Sequence, residues 1–179
     1  MGATALRLLT GIDRETAQDQ KSIPYSKSET VLVLVAAVTF IGALIHVGAA
    51  VDHYGEFPLY TLVFCLLAAG QTAWAAMLLA RPSRRVMLLG GAFQLGIVAL
   101  WALSRTIGVP IAPRAWVPEE IGVADLVATV GGVMSVVGVL CVALSPHSKL
   151  ARVATQRMAP LLLAVVLMGV LFGVSAHAG

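Results

Sequence analysis

The stretch TVLVLVAAVTFIGALIHVGAAV, residues 30–51, spans 22 positions without a charged side chain. A helix of about 20 apolar residues, rising about 1.5 Å per residue, crosses the roughly 30 Å hydrocarbon core of a bilayer. No face of this stretch is polar, whereas a helix at the surface of a soluble protein keeps one polar face toward water. The stretch therefore predicts a transmembrane helix.

Four further runs of the same kind follow, at 59–79, 86–103, 121–144 and 159–176. Hydrophobic residues make up 59% of the 179 residues and charged residues only 12%, and the mean hydropathy is +0.91. Such a chain is too apolar for a soluble domain and too poor in charge for a disordered one. We therefore predict an all-α membrane protein: residues 29–179 form a single five-transmembrane-helix bundle, preceded by a tail at 1–28.

The basic residues lie on one predicted side of the membrane. Ten of the twelve Lys and Arg residues fall in the tail, in the turn 81–85 or in the connection 149–157. Because cytoplasmic segments carry the excess of Lys and Arg, we predict a cytoplasmic N-terminus and an exterior C-terminus. The same distribution, with no single basic stripe, argues against a nucleic-acid partner. The lipid bilayer is the predicted partner.

Two glutamines and two glycines are candidate contacts between the spans. Gln71 and Gln94 fall near the membrane midplane of adjacent antiparallel spans, where an unpaired amide is costly. We predict that both face inward, and interhelical hydrogen bonding is favoured over a role in a transport path. Gly169 and Gly173 form a G-x-x-x-G face on the fifth span, a motif that lets helices pack closely in lipid.

Imidazole and carboxylate side chains gather at the predicted exterior end. His46 and His53 are seven residues apart, about two turns, so they project from one side of the first span if the helix runs through both. Glu119 and Asp125 lie at the exterior start of the fourth span. Imidazole with carboxylate suits zinc, copper(II) or iron(II), so these four residues form a candidate metal site, with zinc or copper favoured. No H-x-x-x-H, H-E-x-x-H or C-x-x-C spacing supports it.

Each of these residues also has a structural interpretation. A neutral imidazole at position 46 can bond a neighbouring span, and a carboxylate at position 119 suits the N-terminus of a helix. Asp125 lies about one turn inside the fourth span, and Arg105 is its obvious counter-ion. An Arg105–Asp125 pair would lock the third and fourth spans together.

The sequence SRTIGVP at 104–110, followed by EEIGVAD at 119–125, resembles an uncharacterised family of small multi-pass bacterial membrane proteins of actinobacterial type, which carry an S-R-T-x-G-x-P loop motif. The resemblance covers 41–129. It implies a protein of the bacterial plasma membrane in which Arg105, Gly108, Pro110, Glu119 and Asp125 belong to one structural unit. This chain departs from the pattern at 112 and 120, where members have Gly and Pro and this chain has Ala and Glu.

Three functions remain open from the sequence. The first is a non-enzymatic membrane protein whose exterior pocket of histidines and carboxylates binds a transition-metal cation. The second is an accessory or scaffold subunit that packs on a larger membrane complex, or on another copy of itself, through the Gly169 and Gly173 face. The third is a metal-assisted membrane hydrolase using Ser104 beside the histidines, but no established hydrolase motif supports it. We therefore favour a non-enzymatic role.

Overall fold

The computed structural model describes residues 27–111, 115–145 and 157–167, which form five helices and no strand. The helices are α1 (Lys27–Asp52), α2 (Pro58–Ala80), α3 (Arg84–Thr106), α4 (Val123–Leu144) and the shorter α5 (Arg157–Leu167). Helices α1 to α4 contain 26, 23, 23 and 22 residues, or roughly 33–39 Å at about 1.5 Å per residue. Each is long enough to cross a bilayer.

This architecture confirms the predicted all-helical class, with four helices long and apolar enough to cross a membrane. Three of them extend the predicted spans by up to three residues at an end, whereas α4 begins two residues later than predicted, at Val123. The described part of the predicted fifth span is α5, which is shorter than a membrane crossing. The rest of that span, with Gly169 and Gly173, lies outside the described residues, as does 1–26.

Local signals explain where the helices begin and end. Ser83 precedes α3, and its hydroxyl accepts a hydrogen bond from the backbone N–H of Val86 at 3.2 Å, which is the usual N-cap. Pro58 opens α2 at the first position, where a missing N–H costs nothing. After α3, Gly108 has a φ of 77°, and its N–H donates to the carbonyl of Leu103 at 3.1 Å. This left-handed glycine ends the helix.

Helix α1 is central: it packs extensively on α2 and α4, while α3 packs mainly on α4. The contact between the consecutive helices α2 and α3 is the least extensive of the four. Within it, Gly90 lies directly under the indole of Trp74, so that an ideal Cβ on Gly90 would fall 1.8 Å from Nε1. The same indole N–H donates to the carbonyl of Val86 at 3.1 Å. A buried indole on a glycine therefore forms much of this contact.

The interior differs between the two ends of the bundle. We call the end where α1 and α3 finish and α2 and α4 begin the polar end. The main cluster of buried apolar residues lies in the opposite half, and its best-buried members are Val31, Val35, Leu78, Val139 and Leu162. Toward the polar end, the buried residues are mostly small or polar. Apolar packing therefore dominates one half of the bundle, and polar contacts are concentrated in the other.

Four polar side chains form a layer at mid-depth, one from each of α1 to α4. Thr39, Gln71, Gln94 and Ser135 are each at most 2% exposed. The first two lie 13 residues from the polar ends of their helices, and the other two lie 12 residues from theirs, which is roughly 18–20 Å. The Gln71 amide donates to Oε1 of Gln94 at 3.1 Å, and the hydroxyls of Thr39 and Ser135 are 3.4 Å apart. The layer thus links α2 to α3 and α1 to α4.

Replacement of Gly90 by alanine is expected to destabilise the bundle, because the new methyl group would overlap the Trp74 indole. We expect a loss of about 1–3 kcal/mol, as for other overpacked interiors. The measurement is thermal unfolding in detergent micelles. Gly96→Ala on the same helix is the matched control, since a Cβ there meets nothing within 4 Å. A loss of equal size in both variants would contradict the role assigned to Trp74.

The Gln71–Gln94 hydrogen bond is expected to stabilise the α2–α3 pair. Gln71→Leu should lower the free energy of unfolding by about 1 kcal/mol, because Oε1 of Gln94 loses its donor in a dry interior. The double variant with Gln94→Leu should lose less than the sum of the singles, with a coupling of about 0.6 kcal/mol or more. Thr72→Val removes only a bond within α2 and serves as the control. Additive losses would argue against the bond.

Candidate functional site at the polar end

Arg105, in the last turn of α3, joins two other segments of the polar end. Its Nη1 donates to Oε2 of Glu119 at 2.7 Å, and its Nη2 donates to Oδ2 of Asp125 at 2.6 Å. The arginine side chain is only 12% exposed. Charge-assisted hydrogen bonds of this length are stronger than neutral ones, and a partly buried pair is screened less by salt. Arg105 therefore ties the α3–α4 connection and the first turn of α4 to the end of α3.

Asp125 has a second partner besides the arginine. Its Oδ2 accepts a hydrogen bond from the backbone N–H of Gly122 at 3.3 Å, just before α4 begins. A carboxylate that reaches back to the residue before the helix satisfies a free N–H, and it also complements the positive end of the helix dipole. The same oxygen thus helps to start α4 and to hold α3 against it.

Backbone contacts reinforce the connection between α3 and α4. The N–H of Glu119 donates to the carbonyl of Ser104 at 3.0 Å, and the N–H of Trp116 donates to the carbonyl of Val109 at 3.0 Å. The chain passes so close to Gly108 that an ideal Cβ there would lie 2.6 Å from the backbone of Trp116. The segment leading back to α4 therefore lies against the last turn of α3.

His53 lies in the turn after α1, with its ring held on three sides. Its Nδ1 is 2.6 Å from Oε2 of Glu56. Its ring stacks on Phe64 with centroids 5.5 Å apart and planes 14° apart, and it meets Tyr60 edge-on at 5.5 Å. Since an ionised carboxylate only accepts hydrogen bonds, Nδ1 carries the hydrogen and Nε2 is the remaining ring nitrogen.

His46 is held in a similar way, about two helical turns farther from the polar end than His53. It is 8% exposed, and its Nδ1 is 2.8 Å from the carbonyl oxygen of Gly42, one turn earlier. A carbonyl oxygen only accepts, so Nδ1 is the donor and Nε2 of the neutral ring keeps its lone pair. The ring also meets Phe64 edge-on, with centroids 5.9 Å apart. Both imidazoles therefore contact the same phenyl ring and direct Nδ1 to an acceptor.

The structure places the four predicted metal ligands at the same end but in two groups. Glu119 and Asp125 both bond Arg105, whereas His46 and His53 surround Phe64. Within 27–111, 115–145 and 157–167, no three His, Cys, Asp or Glu side chains are arranged to hold a metal ion. The arginine, predicted as a structural partner of one carboxylate, in fact bonds two.

Sequence reasoning missed one residue of this site and left another undecided. Phe64 was not singled out, although its spacing of four from Tyr60 places both aromatic rings on one face of α2. Ser104, considered for a metal-assisted hydrolase, donates its hydroxyl to the carbonyl of Trp101 at 2.8 Å within its own helix. That hydrogen bond gives the Ser104 hydroxyl a structural role within its helix.

The fold and the site define a multi-pass α-helical membrane protein. Neither a scan against protein-family models nor searches of curated proteins and of solved structures find a match to the chain. A function for it is therefore argued from the side chains of the polar end, because a helical bundle by itself supports many functions.

Arg105→Gln is expected to loosen the α3–α4 connection, because both carboxylates lose their counter-ion. Hydrogen exchange at the amides of Glu119 and Trp116 should accelerate about tenfold, equivalent to about 1.4 kcal/mol of local stability. Arg84→Gln, an exposed arginine at the other end of α3, is the control and should leave these amides unchanged. Unchanged exchange in the Arg105 variant would show that the backbone contacts alone hold the connection.

Proposed function

We propose that the protein is a non-enzymatic membrane protein that binds a divalent transition-metal cation, zinc or copper(II), at its polar end. The observation that carries the proposal is the arrangement of the two imidazoles. His46 directs Nδ1 to a backbone carbonyl, and His53 directs Nδ1 to a carboxylate. Metal-binding histidines in proteins almost always have such a partner on the second ring nitrogen, which orients the ring and raises its basicity. The Nε2 atoms are the proposed ligand atoms.

The remaining ligands come from the carboxylates of the same end. Glu119 and Asp125 share one guanidinium, so two formal negative charges face one positive charge. A nearby cation is favoured by that excess, and either carboxylate can exchange its contact with Arg105 for a metal. Since zinc–nitrogen bonds are about 2.0–2.1 Å long, both Nε2 atoms must come within about 4 Å of each other. Binding therefore draws the turn that carries His53 toward His46.

The ligand types favour zinc or copper(II) over magnesium or calcium. Imidazole nitrogen suits zinc and copper, whereas magnesium and calcium take oxygen ligands. We place the polar end on the exterior side of a bacterial plasma membrane. The support is the excess of Lys and Arg in 1–28, 81–85 and 149–157, all connected to the opposite end of the predicted spans.

The proposal predicts about one zinc or copper ion per chain in the wild type and none in the double variant His46→Ala, His53→Ala. The measurement is metal content, followed by titration calorimetry, on protein reconstituted in lipid nanodiscs. Metal in neither protein, or equal amounts in both, would overturn the proposal. Retained thermal stability of the double variant shows that loss of metal is not loss of fold.

A second pair of variants distinguishes a specific metal site from general electrostatic attraction of the cation to negatively charged side chains. Glu56→Gln should weaken metal binding about 10- to 100-fold, because His53 loses the carboxylate that orients it. Asp52→Asn removes the same charge from an exposed side chain next to His53 and should change affinity little. Equal weakening by both substitutions would mean that only charge attracts the ion.

A further inference from the structure

The connection between α3 and α4 exposes apolar side chains in both of its described parts. Ile107 and Ile111 are 53% and 44% exposed on the outgoing part. Trp116, Val117 and Ile121 are 61%, 51% and 63% exposed on the returning part. A connection that faced only water would leave this apolar surface unfavourably hydrated.

Glu119, on the returning part, lies beside the end of α3. The backbone N–H of Glu119 bonds the carbonyl of Ser104, and the Glu119 side chain bonds Arg105. Both partners belong to the last turn of α3, so Glu119 lies against that turn, while Trp116 lies just past it, beside Gly108 and Val109. In a helix that crosses a bilayer, the last turn lies where the hydrocarbon meets the headgroups.

The exposed apolar residues continue a face of the helix itself. Leu100, Leu103 and Ile107 are spaced by three and four residues, so they share one face of α3, and they are 40%, 38% and 53% exposed. On a membrane-spanning helix such a face contacts acyl chains. Ile107 belongs both to this face and to the connection, where Ile111 and Trp116 are also exposed. The continuity identifies lipid as the partner of the connection.

Trp116 is held in a conformation that its side chain does not favour. Its φ is 64°, in the left-handed region that bulky residues rarely occupy. The bond from its N–H to the carbonyl of Val109 and the absence of a Cβ on Gly108 hold the backbone there. A strained backbone that persists at an exposed aromatic residue indicates a function for that side chain. Tryptophan is also enriched where bilayers meet water.

We propose that the α3–α4 connection is an interfacial anchor, in which Trp116, with Ile111 and Val117, inserts at the boundary between the headgroups and acyl chains of the bilayer that the helices cross. The anchor would hold the segment carrying Glu119 at a defined depth beside Arg105. This role does not depend on metal binding at the histidines.

The test is fluorescence quenching in phosphatidylcholine vesicles, comparing the wild type with Trp116→Phe. The difference between their signals reports Trp116 alone, since Trp74 and Trp101 remain in both. Lipids brominated near the headgroup, at acyl carbons 6 and 7, should quench this difference about twofold more than lipids brominated deeper, at carbons 11 and 12. Aqueous iodide should quench it less than the shallow bromines do.

Any other order overturns the proposal, and quenching by iodide without quenching by either bromolipid would place the indole in water. Trp101→Phe is the matched control, because position 101 lies within α3, before its last turn. Phenylalanine keeps an aromatic ring at 116, and unchanged thermal unfolding of that variant shows that the comparison is between folded proteins.

Discussion

Hydrocarbon supplies no hydrogen bonds, and this constraint governs how the four long helices fit together. At mid-depth, each helix contributes one buried polar side chain, and these form two bonded pairs: Gln71 with Gln94, and Thr39 with Ser135. The amide pair joins α2 and α3, whose contact is the least extensive of the four and which also pack through Trp74 on Gly90 and Phe93 on Gly70. Sliding one helix along another would break these hydrogen bonds. The layer therefore sets the vertical register of the bundle.

The layer also divides the interior into unlike halves. On one side, apolar side chains pack together, and on the other side small residues, imidazoles and carboxylates meet. At this polar end, Arg105 links α3 to the α3–α4 connection and to α4, and Phe64 of α2 contacts both histidines. These contacts lie away from the apolar half, so the proposed binding of a cation would rearrange the polar end alone.

The residues show which predictions a single sequence supports. The inward orientation of Gln71 and Gln94 followed from depth alone, since an amide at the midplane has few other choices. Asp125 and Arg105 could be paired because each lies near the same end of neighbouring spans. Glu119 remains a proposed metal ligand, and in the structure its carboxylate bonds Arg105, a contact that the sequence did not predict. Phe64 escaped notice because an apolar residue in an apolar span carries no distinguishing pattern.

The sequence by itself determined that the chain is a membrane protein, where its four long helices lie and which polar residues are deeply placed. Those properties follow from transfer between water and lipid, which depends on composition along the chain. Only the tertiary structure decided that α3 packs on α4 and that the Trp74 indole packs on Gly90. It also decided that two carboxylates bond Arg105 and that two imidazoles contact Phe64. A helix that is apolar on every face carries no sequence pattern that predicts which helix it packs against. Its neighbours and its rotation about its own axis are therefore determined only by side-chain packing.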